Sequence, residues 1–199
     1  VAFSLPGAAR AQSGAPVPER PYITGRIAEL QKVRTPEGIE SLEQVELGGL
    51  KQWISIRGQN RQNPVLLFIH GGPGSPEMPQ RWLWQRPIED FFTVVQWDQR
   101  GVGKNALTHD SATVFPTLSL DRIVQDAAEL SELLRRRFRQ PRIVVMGHSW
   151  GSMVGLTLAS RRPDLMHVYV GIGQVVATAA EHDIWVGARE RAREAGNQE

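Results

Sequence analysis

The chain has 199 residues, 41% hydrophobic and 22% charged, a balance that fits one sizeable globular core and excludes a disordered or collagen-like chain. Lys and Arg number 23 against 21 Asp and Glu, leaving a formal charge of +2 and no broad basic surface for nucleic acid. The absence of cysteine excludes disulfides and thiolate chemistry, and no apolar run approaches the length of a membrane span.

The chain opens on Val1-Ala2-Phe3-Ser4-Leu5-Pro6-Gly7-Ala8-Ala9-Arg10-Ala11-Gln12, which reads as the tail of a secretory leader with a cut near Ala11. That pattern predicts a secreted or periplasmic protein; without it the default is cytoplasmic. Pro, Gly and Ser between Gln12 and Pro21 read as a flexible tether, so residues 1–38 are taken as leader remnant, tether and N-terminal extension.

Strand and helix signals then alternate. Glu40–Leu47 and Leu50–Arg57 flank Gly48-Gly49 and predict a β-hairpin. Continuous apolar runs at Pro64–His70, Thr93–Asp98, Arg142–His148 and His167–Ile172 predict strands buried on both faces. Between them, Leu120, Ile123, Val124, Ala127, Leu130, Leu134 and Phe138 fall on one helical face, with Ser119 or Thr117 as N-cap. The run Arg135-Arg136-Arg137-Phe138-Arg139 closes that helix, where cations suit the helix dipole, and reads as a solvated terminus rather than an anion site. A second helix is predicted from Trp150 to Arg162, stopped by Pro163. The fold class is α/β: a mostly parallel sheet with helices on both faces, and sites at the carboxyl ends of its strands.

Three motifs stand at such ends. In Val144-Val145-Met146-Gly147-His148-Ser149-Trp150-Gly151-Ser152 a buried strand turns at once into a helix, which forces Ser149 into a strained turn with its hydroxyl held clear of the sheet. Gly147 and Gly151 are required there because side chains would collide with strand and helix. The Trp150 N–H, at the start of the helix, points to where charge develops on an attacked carbonyl. The plain alternative is a serine N-cap eased by glycines.

His70-Gly71-Gly72-Pro73-Gly74 follows another buried strand and brings bare backbone close to the same place. The Gly72 N–H is the expected second oxyanion donor; Gly71 and Gly74 shape the loop. His70 reads as a loop organiser rather than a base. The third motif, Asp98-Gln99-Arg100-Gly101-Val102-Gly103, reads as structural bracing, with Asp98 and Arg100 fixing the turn through a charge-assisted hydrogen bond.

Taken in order, HGGPG, DQRGVG and GHSWGS resemble the α/β-hydrolase fold and, within it, the proline iminopeptidase-like serine hydrolases, over residues 40 to 199. The resemblance implies Ser149 as nucleophile and the N–H groups of Gly72 and Trp150 as oxyanion hole. It implies a peptide or small ester or amide substrate, most specifically release of an N-terminal residue. It also divides the chain into an N-terminal part of the hydrolase core, residues 39–175, and the start of a helical cap, residues 176–199. Epoxide and haloalkane hydrolases are disfavoured because they carry an aspartate where Ser149 stands. The alternatives are an esterase or amidase of the same fold, or a non-catalytic hydrolase-like binding protein.

An activating pair is harder to find. In this fold the acid and the histidine follow the serine on later loops. His167 opens its strand and is expected at the far end of the sheet, while His182, between Glu181 and Asp183, has neighbours pointing in other directions. The chain therefore reads as the N-terminal portion of a longer hydrolase whose triad acid and base lie beyond Glu199. No metal cluster, phosphate loop or dinucleotide fingerprint is present in the sequence, so no cofactor is implied. Oligomeric state is not legible.

Overall fold

The computed structural model describes residues 20–176, 186–187, 189–191, 193–194 and 196. The leader pattern near Ala11, and His182 with Glu181 and Asp183, lie outside the described residues. Contacts divide the chain into a unit up to Lys32 and a second from Val33 onward. The first contributes helix α1 (Arg20–Leu30), in a region the sequence reading assigned to tether and extension. None of its residues is buried, so it lacks the apolar stripe by which a 3.6-residue period announces a helix.

The second unit holds a six-stranded sheet. Strands β1 (Ile39–Leu47) and β2 (Leu50–Gly58) pair antiparallel through Gly48 and Gly49, whose φ values of 54° and 76° a two-residue hairpin turn requires. Strands β3 (Val65–Ile69) and β4 (Thr93–Trp97) are buried at every position, consistent with cover on both faces. With β5 (Ile143–His148) and β6 (Met166–Ile172), the order is β1-β2-β4-β3-β5-β6. β3 runs parallel to β4 and β5, and β5 to β6, while β2 joins β4 antiparallel. The carboxyl ends of β3, β4 and β5 therefore lie side by side, which brings the three motifs together.

Two short helices, α2 (Lys104–Thr108) and α3 (Ser111–Val114), follow β4 and lead to α4 (Leu120–Phe138). The Ser119 hydroxyl caps α4 by accepting the Arg122 N–H at 3.1 Å. Ile123, Val124, Ala127, Leu130 and Leu134 of α4, with Val154 and Leu158 of α5 (Trp150–Arg161), pack on Val65, Leu67, Ile69, Val95 and Val145 of the sheet. Full burial of each such side chain contributes about 1.5–3 kcal/mol, so this face is the main source of stability. The opposite face carries a smaller cluster of Leu66, Phe68 and Val94 against Trp84, Ile88 and Phe92.

The arginine run at the end of α4 is partnered. Arg136 lies 3.6 Å from Glu132, Arg135 lies 3.9 Å from Asp164, and Arg137 pairs with Glu43. Among the described residues no helix is long and apolar enough to cross a membrane, and no group of three His, Cys, Asp or Glu side chains could hold a metal.

Candidate active site at the strand ends

Ser149 occupies the junction of β5 and α5 with φ 52° and ψ −119°. Among the described non-glycine residues, only it and Arg139 have positive φ. A conformation so sparsely populated costs about 1–3 kcal/mol and persists only where the surroundings dictate it. Here they do. A Cβ at Gly147 would collide with the Gly151 carbonyl, and a Cβ at Gly151 would collide with the carbonyls of Ile69 and His70, so strand and helix meet too closely for any other residue. The turn is also tied to the end of β6: the Ser149 N–H donates to the Ile172 carbonyl at 2.8 Å.

The glycine loop after β3 lies directly against this turn. A Cβ placed on Gly71 would stand 3.1 Å from the Ser149 Cβ and 3.0 Å from the His148 carbonyl oxygen. Gly72 follows at φ 117° and Gly74 at φ 89°, and the Ser75 N–H closes the loop on the Gly71 carbonyl at 3.3 Å. The structure thus brings Ser149, Gly71 and Trp150 together, with Gly72 and Gly74 in the loop alongside. The half-buried Trp150 begins α5, so its N–H belongs to the unsatisfied first turn, where the helix dipole favours negative charge.

His70 is buried at 1% exposure. Its Nδ1 lies 2.9 Å from the Gly71 carbonyl oxygen, and its Nε2 accepts the Gln99 N–H at 3.2 Å. These two bonds describe one neutral tautomer, Nδ1–H, that staples the β3 loop to the β4 loop. Burial lowers the His70 pKa from its ordinary value of 6.5, against a smaller raising effect of the Gly71 hydrogen bond. In the unfolded chain the ring takes up a proton near 6.5, so the unfolded state binds more protons below that pH. Stability is therefore expected to fall as pH drops through 6.5, and His70→Gln should remove that part of the slope. Urea unfolding of both proteins at pH 7 and pH 5 measures it; parallel losses in the two would contradict this role for the ring.

The third motif corrects the expected pairing of Asp98 with Arg100. Arg100 turns instead to Asp126 of α4, donating from Nε to Oδ2 at 2.9 Å and from Nη2 to Oδ1 at 3.0 Å, and Nη2 also reaches the Leu47 and Gly48 carbonyls. Asp98 accepts the Lys104 N–H at 2.8 Å, and its carbonyl accepts the Asn105 side-chain amide. The two charges diverge because one braces the turn into α2 while the other reaches across to α4 and the hairpin. Burial raises the Asp98 pKa, opposed by the Lys104 N–H.

Two residues carry connections that the sequence did not single out. Gln99 donates from Nε2 to the His70 carbonyl at 2.8 Å and accepts the Trp150 indole N–H at 3.2 Å, linking all three motifs. Ser152 donates to the Ser149 carbonyl at 2.6 Å and accepts the Val175 N–H at 3.0 Å, tying the turn to the segment after β6. A buried Gln two residues from a strand end, or a serine three residues into a helix, has no periodicity to flag it.

Among the described residues no hydrogen bond joins Ser149 Oγ to a histidine. His148 lies beside it in the chain but faces Glu77, with Nδ1 3.6 Å from Oε1. His167 is exposed at the opposite end of β6, where Met166 pairs with Ile143.

A mostly parallel sheet with a strained serine at a strand-to-helix turn and a glycine loop packed on it defines an α/β hydrolase, and the chain belongs to the alpha/beta hydrolase fold family, whose match spans residues 64–194. Its sequence is similar to enzymes of the proline iminopeptidase kind. A probable aminopeptidase of Bacillus subtilis is 35% identical over 152 residues, covering 73% of this chain and 47% of the relative. A proline iminopeptidase of Arabidopsis thaliana is 34% identical over 107 residues, covering 54% of this chain and 25% of the relative. The crystal structure of a proline iminopeptidase-related protein of Thermus thermophilus superposes with a TM-score of 0.54 at 28% identity, covering 64% of this chain and 42% of that one. The chain thus spans less than half the length of these relatives.

Proposed function

We propose that Ser149 is the nucleophile of an acyl-transfer hydrolase that releases an N-terminal residue from peptides. The observation that carries this reading is the Ser149 backbone, held at φ 52° and ψ −119° by a turn that leaves no room for side chains at Gly147 or Gly151. A simple N-cap needs no such strain: Ser119 caps α4 from ordinary extended geometry, φ −149° and ψ 156°, with its hydroxyl on the Arg122 N–H. Ser149 makes no such cap bond.

In the proposed mechanism Ser149 Oγ attacks the scissile carbonyl carbon while its proton passes to a base. The Gly72 and Trp150 N–H groups take the negative charge that develops on the carbonyl oxygen. Collapse of the tetrahedral intermediate expels the amine, which receives the proton, and water then releases the acyl group from Ser149 by the same steps. His70 is committed between two loops and His167 stands at the wrong end of the sheet. His148 faces Glu77, and no described histidine, His109 included, is hydrogen-bonded to Ser149 Oγ, so the base and its orienting acid are assigned to residues outside the described set.

The aminopeptidase names of two relatives support the substrate class. The test compares aminoacyl anilides with a free amine, their N-acetylated counterparts and simple aryl esters, using the full-length protein. An aminopeptidase favours the free amine, by about tenfold or more if a buried charge on the enzyme pairs with it. Turnover of esters alone, indifferent to the amine, would move the assignment to an esterase.

A further inference from the structure

Both backbone polar groups of Ser149 are held from the exit of β6. Its N–H donates directly to the Ile172 carbonyl at 2.8 Å. Its carbonyl accepts the Ser152 hydroxyl at 2.6 Å, and the same hydroxyl accepts the Val175 N–H at 3.0 Å. We infer that Ser152 is a positioning residue, whose hydroxyl couples the segment 172–175 to the Ser149 turn and so sets where the nucleophilic oxygen stands. The inference rests on Ser149 as nucleophile and adds to that reading the group that holds its backbone.

A serine in a helix often bonds back to a carbonyl one turn earlier with no further consequence. Ser152 differs in three ways. It is fully buried, and its own N–H already donates to the Ser149 carbonyl at 2.8 Å, so the hydroxyl is a second donor to the same oxygen. That hydroxyl also accepts from a residue 23 positions away, a bond that no helix supplies by itself. The far end of the link is braced in turn. The Tyr169 hydroxyl stands between the Ser152 carbonyl, at 2.8 Å, and Gln174 Oε1, at 2.6 Å, and Gln174 Nε2 donates to the Val175 carbonyl at 2.9 Å. The Tyr169 ring lies so close to Gly155 that a Cβ there would stand 2.5 Å from Tyr169 Cε2, which leaves the ring little room to move toward α5. On the other side, a Cβ on Gly147 would stand 2.9 Å from the Ser152 Cα, so Ser152 is wedged against β5. A backbone at φ 52° persists only while its surroundings dictate it. Without the Ser152 hydroxyl the Ser149 carbonyl loses its link to Val175, and the turn is free to relax toward an ordinary conformation, carrying Oγ with it.

The full-length protein tests this with a fluorophosphonate, which bonds its phosphorus to Ser149 Oγ and releases fluoride, alongside turnover of an aminoacyl anilide. Labelling taken to completion counts the folded sites, and its rate per site reads how well each serine is poised. In Ser152→Ala, kcat and the labelling rate per site are expected to fall together by about tenfold or more, since a displacement of about 1 Å at the reacting atoms costs about a hundredfold. KM should stay within about twofold of the parent, because the substrate contacts are untouched. Tyr169→Phe keeps the Ser152 hydroxyl but loosens the segment 174–175, and should lose about threefold, the scale of one hydrogen bond. The double variant should be no slower than Ser152→Ala alone, because both changes act through one clamp. A rate per site within about twofold of the parent in Ser152→Ala, with fewer sites labelled, would overturn the inference and leave Ser152 a purely structural residue. Losses that multiply in the double variant would overturn it as well. Should Ser152→Ala not fold, Tyr169→Phe decides alone: a slower rate per site at unchanged KM supports the coupling, and an unchanged rate refutes it. The parent protein separates this inference from the catalytic reading. A parent not labelled at Ser149 defeats the nucleophile assignment, whereas a parent labelled there and a Ser152→Ala labelled equally fast defeat only the positioning role.

Discussion

Replacing Ser149 by alanine is expected to lower turnover of aminoacyl anilides by the full-length protein by about 10⁴-fold or more, because the residual rate then comes only from the oxyanion groups and binding. The isolated 199-residue chain is expected to show negligible turnover even with Ser149 in place. A serine hydroxyl is a weak nucleophile at neutral pH and needs a base oriented by a third group, and no histidine is bonded to Ser149 among the described residues. Chromophore release from both forms, each with its alanine variant, measures the two effects together. Robust activity of the short chain that disappears in Ser149→Ala would place a base within these 199 residues, and His182 would be the next residue to change.

Asp126→Ala is expected to destabilise the protein by about 3–5 kcal/mol, the usual cost of leaving one member of a buried ion pair without its partner. The Asp126 side chain is fully buried and that of Arg100 is 1% exposed. The Asp126 carboxylate accepts from Arg100, from the Gln52 amide at 3.0 Å and from Arg122 Nε at 3.0 Å, so its removal strands several donors at once. Gln52 in turn accepts the Trp97 indole N–H at 2.9 Å, carrying the damage into the core under β4. Asp126→Asn retains part of the hydrogen bonding and should fall between the parent and alanine. The midpoint of urea unfolding reads the effect, and a loss below about 1 kcal/mol would mean that water or a rearranged Arg100 replaces the carboxylate.

What the sequence determined by itself was local in origin. Apolar runs placed β3 to β6, but only β3 and β4 are buried at every position. Strand β6, expected to be buried on both faces, is mostly exposed, because burial depends on what packs over a strand and not on the strand's own residues. The three- and four-residue spacing of Leu120 to Phe138 placed α4. Ser119 was legible as a cap because hydroxyl capping depends only on residues three positions apart. The Ser149 turn was legible for a related reason: Gly147 and Gly151 record in sequence a collision that occurs within one strand-to-helix junction, together with the backbone of the neighbouring β3. Only the tertiary structure decided the long-range pairings. Asp98 and Arg100 were read as partners because they are near neighbours in the chain, whereas Arg100 finds its carboxylate 26 residues away on α4. Gln99, which joins His70 to Trp150, and Ser152, whose hydroxyl accepts the Val175 N–H, act through hydrogen bonds between segments far apart in sequence. Such bonds depend on distance and direction in space, and neither leaves a period, a cap or a turn signature in the chain. Helix α1 escaped for the opposite reason, since with nothing buried it has no packing constraint to imprint on its residues.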